Sequence, residues 1–376
     1  MFADLSLDQL RLRRSEKWVR YPPDVLPAWV AEMDFELAPA VRDTLAAAVA
    51  HGDTGYANPG ELPEAFASFA ARRFGWTVEP ERIHLVADVM TGVLEVLLAL
   101  TAPGDGVVVN PPVYPPFFSM TRAAGRTVVE APLDGGGRLD LDALERAFLG
   151  GARAYLLCNP HNPTGTVFTR GELEAVAALA TEYGVLVVAD EVHAPMTMPG
   201  ELHVPFLSLG PVAAEHGLSI SSASKTWNVA GLKCALLVAG SARIESELQK
   251  LPEHLRYHVG QFGVLAATAA FRDDFDWLDA LVAQLDANRL LLAQLLAAEL
   301  PSVGYEPPGA GYLAWLDCRA LGLGDDPAAV FLERGRVALT GGVPFGDEGK
   351  GYARLNFATP APLLAEAVRR MAASVS

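Results

Sequence analysis

Short, mostly apolar runs recur through the middle of this chain, and helix-patterned stretches separate most of them. The runs are IHLV (83–86), VVVN (107–110), TVVEAP (127–132), AYLLCN (154–159), VLVVAD (185–190), LSISSAS (218–224) and CALLVAG (234–240). Between them lie segments with helical spacing, at 93–102, 115–124, 140–149 and 171–184, and one precedes them at 62–74. Strands without an alternating polar face are buried on both sides. The pattern therefore predicts an α/β fold: a mostly parallel seven-stranded sheet covered by helices.

From about residue 277 the pattern changes. A long helical stretch (277–300) is followed by strand-like YLAWLDC (312–318), a helix at 326–335, strand-like YARLNFA (352–358) and a helix at 361–374. This reads as a smaller α+β domain. The expected organisation is an N-terminal segment (1–45) packed on the small domain, a large domain (46–275) and a small C-terminal domain (276–376).

Composition narrows the function classes. The formal net charge of −16 disfavours nucleic acid and anionic membranes as partners. No apolar run reaches the ~18 residues of a membrane span. The N-terminal stretch lacks the apolar region of a secretory signal. Three scattered cysteines (Cys158, Cys234, Cys318) read as buried free thiols and point to the cytoplasm. No His/Cys cluster has metal-ligand spacing.

In open parallel sheets, ligands bind beyond the carboxyl ends of the strands. The residues there are chemically rich. Asn159-Pro160-His161-Asn162-Pro163-Thr164-Gly165 follows one run, Asp190-Glu191-Val192-His193 the next, and Ser222-Ala223-Ser224-Lys225 the third. Only five lysines occur in the chain, and Lys225 and Lys233 are two of them. Lys225 can be a solvated loop lysine or, partly desolvated, an imine-forming amine. Asp190 can cap the next segment or hold a proton on a ring nitrogen. Asn162 can be a turn residue or a donor to a phenolate oxygen. The segment Asp88–Gly92 opens a helix whose free amides make an anion site, which Ser222, Ser224 and Lys233 can supplement.

Together, NPHNPTG, DEVH, SASK and a late Arg354 in ARLNFA resemble the aspartate-aminotransferase superfamily, the fold-type-I pyridoxal-phosphate (PLP) enzymes. Asn162 lies 28 residues before Asp190, and Asp190 lies 35 before Lys225. The strings WVAEMDF (29–35), PPVYPPF (111–117) and SKTWNVAGL (224–232) further resemble the carbon–sulfur lyase branch, the cystathionine β-lyases of the MalY and PatB type.

That resemblance implies PLP as cofactor, joined to Lys225, which also moves protons. It implies Asp190 at the pyridinium nitrogen, Asn162 and His193 near the ring oxygen, and Tyr114 stacked on the ring. Val89 and Met90 amides, Ser222, Ser224 and Lys233 would hold the phosphate, and Tyr56 would reach the phosphate of the other subunit. Arg354 would grip the substrate carboxylate, with Asn162 and Ala31 bordering the amino-acid site. The implied protein is a homodimer with shared active sites and no metal. The implied reaction is α,β-elimination of cystathionine or other cysteine S-conjugates to pyruvate, ammonia and a thiol, as in methionine biosynthesis. An aminotransferase of class I/II is the alternative, and a regulatory protein binding a partner on the same fold is a third. Two positions depart from the branch: the phosphate helix reads ADVMTG, and Lys233 stands where aminotransferases carry arginine.

Overall fold

A computed structural model describes residues 5–375, so the first four residues of the N-terminal segment lie outside the described part. Seven strands form the central sheet in the order Ile83–Val86, Ala235–Ala239, Gly217–Ser221, Leu186–Asp190, Ala152–Cys158, Gly106–Val109, Thr127–Glu130. Only Ala235–Ala239 runs against its neighbours. The other six strands therefore end on one edge of the sheet.

Both faces of the sheet are covered, and side-chain alternation shows it. Val107 and Val109 join one apolar core, while Val108 joins the other. Ala154, Leu156 and Cys158 likewise separate from Tyr155 and Leu157. This explains why the strands read as continuous apolar runs. Local signals fix the covering helices. Asp140 caps Leu141–Leu149 by accepting from the Ala143 amide. Arg170–Tyr183 opens with a Thr169–Glu172 capping box and ends at Gly184, whose φ of 67° favours a residue without Cβ. Helix Val89–Leu100 lies tight on the sheet at Gly92. A Cβ there would sit 2.9 Å from a Leu237 methyl, so the start of this helix is pressed against the strand ends.

The C-terminal part is a four-stranded antiparallel sheet, in the order Thr340–Gly341, Tyr352–Asn356, Leu313–Asp317, Gly304–Tyr305. Helices Asp276–Glu299 and Ala361–Ala373 pack against each other beside it. The N-terminal segment joins this part through Leu26–Pro27, which pairs in parallel with Val337–Ala338. Helix Pro39–His51 runs through the expected border at 45/46 and packs against Gln261–Arg272. Neither helix stood out in the sequence, because alanine-rich stretches carry little amphipathic contrast. All three cysteines are buried and unpaired. Among the described residues no helix is long and apolar enough to cross a membrane.

Candidate active site

The turns after the parallel strands meet the C-terminal sheet around a cavity of about 300 Å³. Asp190 enters from the end of its strand, Lys225 from the turn after Gly217–Ser221, and Tyr114 from the loop after Gly106–Val109. Arg354 enters from strand Tyr352–Asn356 of the other sheet. Asn162, His193, Ala31, Val89, Met90, Ser224 and Lys233 line the same space. Ser222 and Tyr56 do not. A wider groove of about 780 Å³, bordered by Pro112, Trp315 and Tyr352, contains none of the expected site residues.

Burial sets the acid–base state of the centre. It pushes the Lys225 ammonium down to about 8, and the Arg354 charge adds to the effect while Asp190 and Glu32 oppose it. Burial raises the Asp190 carboxyl to about 6, against a hydrogen bond from the Val192 amide (3.2 Å) and the charge of Lys225. His193 is pushed down to about 3, first by burial and then by the charges of Lys225 and Arg354, so its ring is neutral. Its buried Nδ1 has no hydrogen-bond partner.

Arg354 is the most exceptional group. It is 6% exposed and forms no ion pair with a carboxylate among the described residues. Its Nη1 donates to Asn162 Oδ1 (2.9 Å), and Nη2 makes long contacts with Trp29 O and Thr340 Oγ1, both 3.4 Å. Nε has no partner at all. The guanidinium lies 5.1 Å from the Phe345 ring centroid. A buried guanidinium without a counter-charge is unfavourable, and burial lowers its pKa to about 10. The arrangement is that of a fork held open for a carboxylate.

Segment 29–34, which borders the cavity, is pinned from several sides. Asn356 Nδ2 donates to Val30 O (2.7 Å) and Glu32 O (2.6 Å), and Tyr312 donates to Ala31 O (3.0 Å). Asn228, with φ 56°, exchanges two hydrogen bonds with the Met33 backbone, at 2.9 and 3.0 Å. Beneath it, Lys17 and Asp34 form a fully buried ion pair at 2.7 Å, and Lys17 also donates to Glu32 O (3.0 Å). Sequence reasoning missed these supports. The available signals were the rarity of lysine, which marked Lys17 as much as Lys225, and the Asn228 that closes SKTWN.

At the far end of the cavity the amides of Val89 and Met90 open helix Val89–Leu100, and Asp88 caps it through the Thr91 amide (2.8 Å). The two departures noted in the sequence meet here: Lys233 Nζ stands 3.0 Å from Asp88 Oδ2. Burial alone would raise the Asp88 carboxyl, but the Thr91 amide and Lys233 together hold it below the ordinary range. Ser222 donates to Cys234 O (2.7 Å) and accepts from the Ser224 amide (3.0 Å), so its hydroxyl shapes the turn before Lys225. Tyr56 is 84% exposed and packs edge-on against Tyr257, their centroids 5.7 Å apart. Tyr114 is partly buried, and that burial raises its phenol pKa.

These residues fit PLP. The neutral His193 has a free buried nitrogen, the buried acid Asp190 stands at a strand end, and the Lys225 amine is easily freed of its proton. A helix N-terminus with a lysine closes the cavity. The chain belongs to the class I and II aminotransferase family, whose model matches residues 28–371. Within that family, a Mycobacterium leprae relative is 46% identical over 98% of this chain and 96% of its own. The cystathionine beta-lyase of Corynebacterium glutamicum is 35% identical, covering 97% of this chain and 98% of its own. The crystal structure of cystalysin from Treponema denticola, which contains pyridoxal 5'-phosphate, superposes with a TM-score of 0.92 at 26% identity, covering 99% and 97% of the two chains.

Proposed function

We propose that this chain is a PLP-dependent carbon–sulfur β-lyase that cleaves cysteine S-conjugates such as cystathionine. The observation that carries the reading is the buried Arg354 fork without a carboxylate, in the same cavity as Lys225 and Asp190. The full-length similarity to the corynebacterial lyase supports the choice of reaction.

When bound, the cofactor supplies an electron sink for bond breaking at the substrate Cα. This chain's residues do the rest. Arg354 takes the substrate carboxylate in a bidentate grip, assisted by Asn162, and so fixes the Cα–H bond. Lys225, its pKa lowered by burial, removes the Cα proton. Asp190 would hold the proton on the ring nitrogen of the bound cofactor, and His193 and Asn162 would face its ring oxygen. Trp29–Ala31 wall the site. The Cβ–S bond then breaks, the thiolate leaves and takes a proton, and water completes the products: conjugate and water give thiol, pyruvate and ammonium.

We further propose a homodimer in which Tyr56 completes the partner's site. Its 84% exposure and absence from its own cavity support this. The three buried free thiols suit a reducing compartment, the cytoplasm.

The test is an assay of holoenzyme on S-substituted cysteines with no keto acid present. Pyruvate and thiol are expected in equal amounts. Turnover that requires a keto-acid acceptor would make the protein an aminotransferase.

A further inference from the structure

The cradle at the start of helix Val89–Leu100 carries opposed charges. Lys233, in the left-handed region at φ 59°, lies 3.0 Å from Asp88, and the same carboxylate caps the helix through Thr91 at 2.8 Å. Both groups are partly exposed, at 34% for the Asp88 side chain and 55% for Lys233. A helix N-terminus attracts an anion through its free amides, and a lysine adds a full positive charge. The Asp88 carboxylate, bonded to the Thr91 amide on one oxygen and to Lys233 on the other, offsets that charge at the helix start.

We propose that Asp88 is a positioning residue that weakens the hold on the cofactor phosphate. It keeps the helix capped, anchors Lys233 beside the amides, and leaves the cradle close to neutral. This inference rests on reading the cavity as the cofactor site. It adds that the chain releases PLP more readily than its amides and lysine alone would allow.

The experiment is equilibrium binding of PLP, and of pyridoxal, to apoprotein stripped of cofactor, followed by protein fluorescence at low and high salt. Asp88→Asn and Asp88→Ser both retain a good helix cap without the charge. Each is expected to lower the PLP Kd about three- to tenfold at low salt, with the gain shrinking at high salt and absent for pyridoxal. Lys233→Gln is expected to raise the PLP Kd. If Lys233→Gln weakens PLP while both Asp88 variants leave it unchanged or weaker, the role given to Asp88 is overturned. If pyridoxal binds as tightly as PLP and Lys233→Gln changes nothing, the cradle itself is misassigned.

Discussion

The role proposed for Lys225, imine formation with the cofactor aldehyde, requires the neutral amine, so its lowered pKa has a kinetic consequence. With a value of about 8, the neutral fraction climbs steeply through the neutral range. Reconstitution of apoprotein with PLP is therefore expected to speed up roughly tenfold between pH 7 and 9 and then level off. Stopped-flow absorbance would read it, and a flat profile would contradict the burial argument. At Arg354, lysine keeps the charge but loses the fork. Arg354→Lys is expected to reduce kcat/KM about 10- to 100-fold, mainly through KM, since one or two charge-assisted hydrogen bonds are lost. An unchanged KM would remove Arg354 from the substrate carboxylate. At this scale the sequence was informative where chemistry follows a buried strand. Asp190 and Lys225 stood out because polar residues end apolar runs. The Lys17–Asp34 pair did not, because it joins a one-turn helix, Glu16–Val19, too short to show a period, to the irregular segment that carries Asp34.

Between elements, the segment over the cavity is held by contacts that short-range patterns do not encode. Lys17 is 1% exposed against Asp34, also 1% exposed. Lys17→Met would strand a buried carboxylate and is expected to destabilise by roughly 3–5 kcal/mol, with a higher KM. Urea unfolding checks it, and a second change, Asp34→Leu, is expected to recover most of the loss. The NPHNPTG turn meets the C-terminal part just as closely. At Gly165, with φ 70°, a Cβ would lie 2.2 Å from Pro308 Cβ. Gly165→Ala combines backbone strain with a clash and is expected to lose about 2–4 kcal/mol. Full stability in that variant would mean the two parts are less tightly apposed than this contact implies. All seven strands of the main sheet were legible, because two-sided burial writes itself as apolar runs. Helices Pro39–His51 and Gln261–Arg272 were not, since their many small residues leave no clear stripe, even though Gln261–Arg272 packs against both Pro39–His51 and Leu62–Phe74.

For the whole molecule, the sheet order explains why residues far apart in the chain converge. Six strands end on one edge, and the C-terminal sheet closes over that edge with Arg354. Tyr56 stands outside this arrangement and gives the proposed dimer its test. Mixing and refolding Tyr56→Ala with Lys225→Ala places both intact residues in one site of the mixed dimer. Activity well above the sum of the two variants is expected; no recovery would contradict site sharing. The strand-end Lys225 is the proposed anchor of the cofactor. Only five lysines exist to compete for it: Lys17, Lys225, Lys233, Lys250 and Lys350. Borohydride reduction of the holoenzyme, followed by peptide mass spectrometry, is expected to find the pyridoxyl adduct on Lys225. An adduct on another lysine, or none, would remove Lys225 from that role.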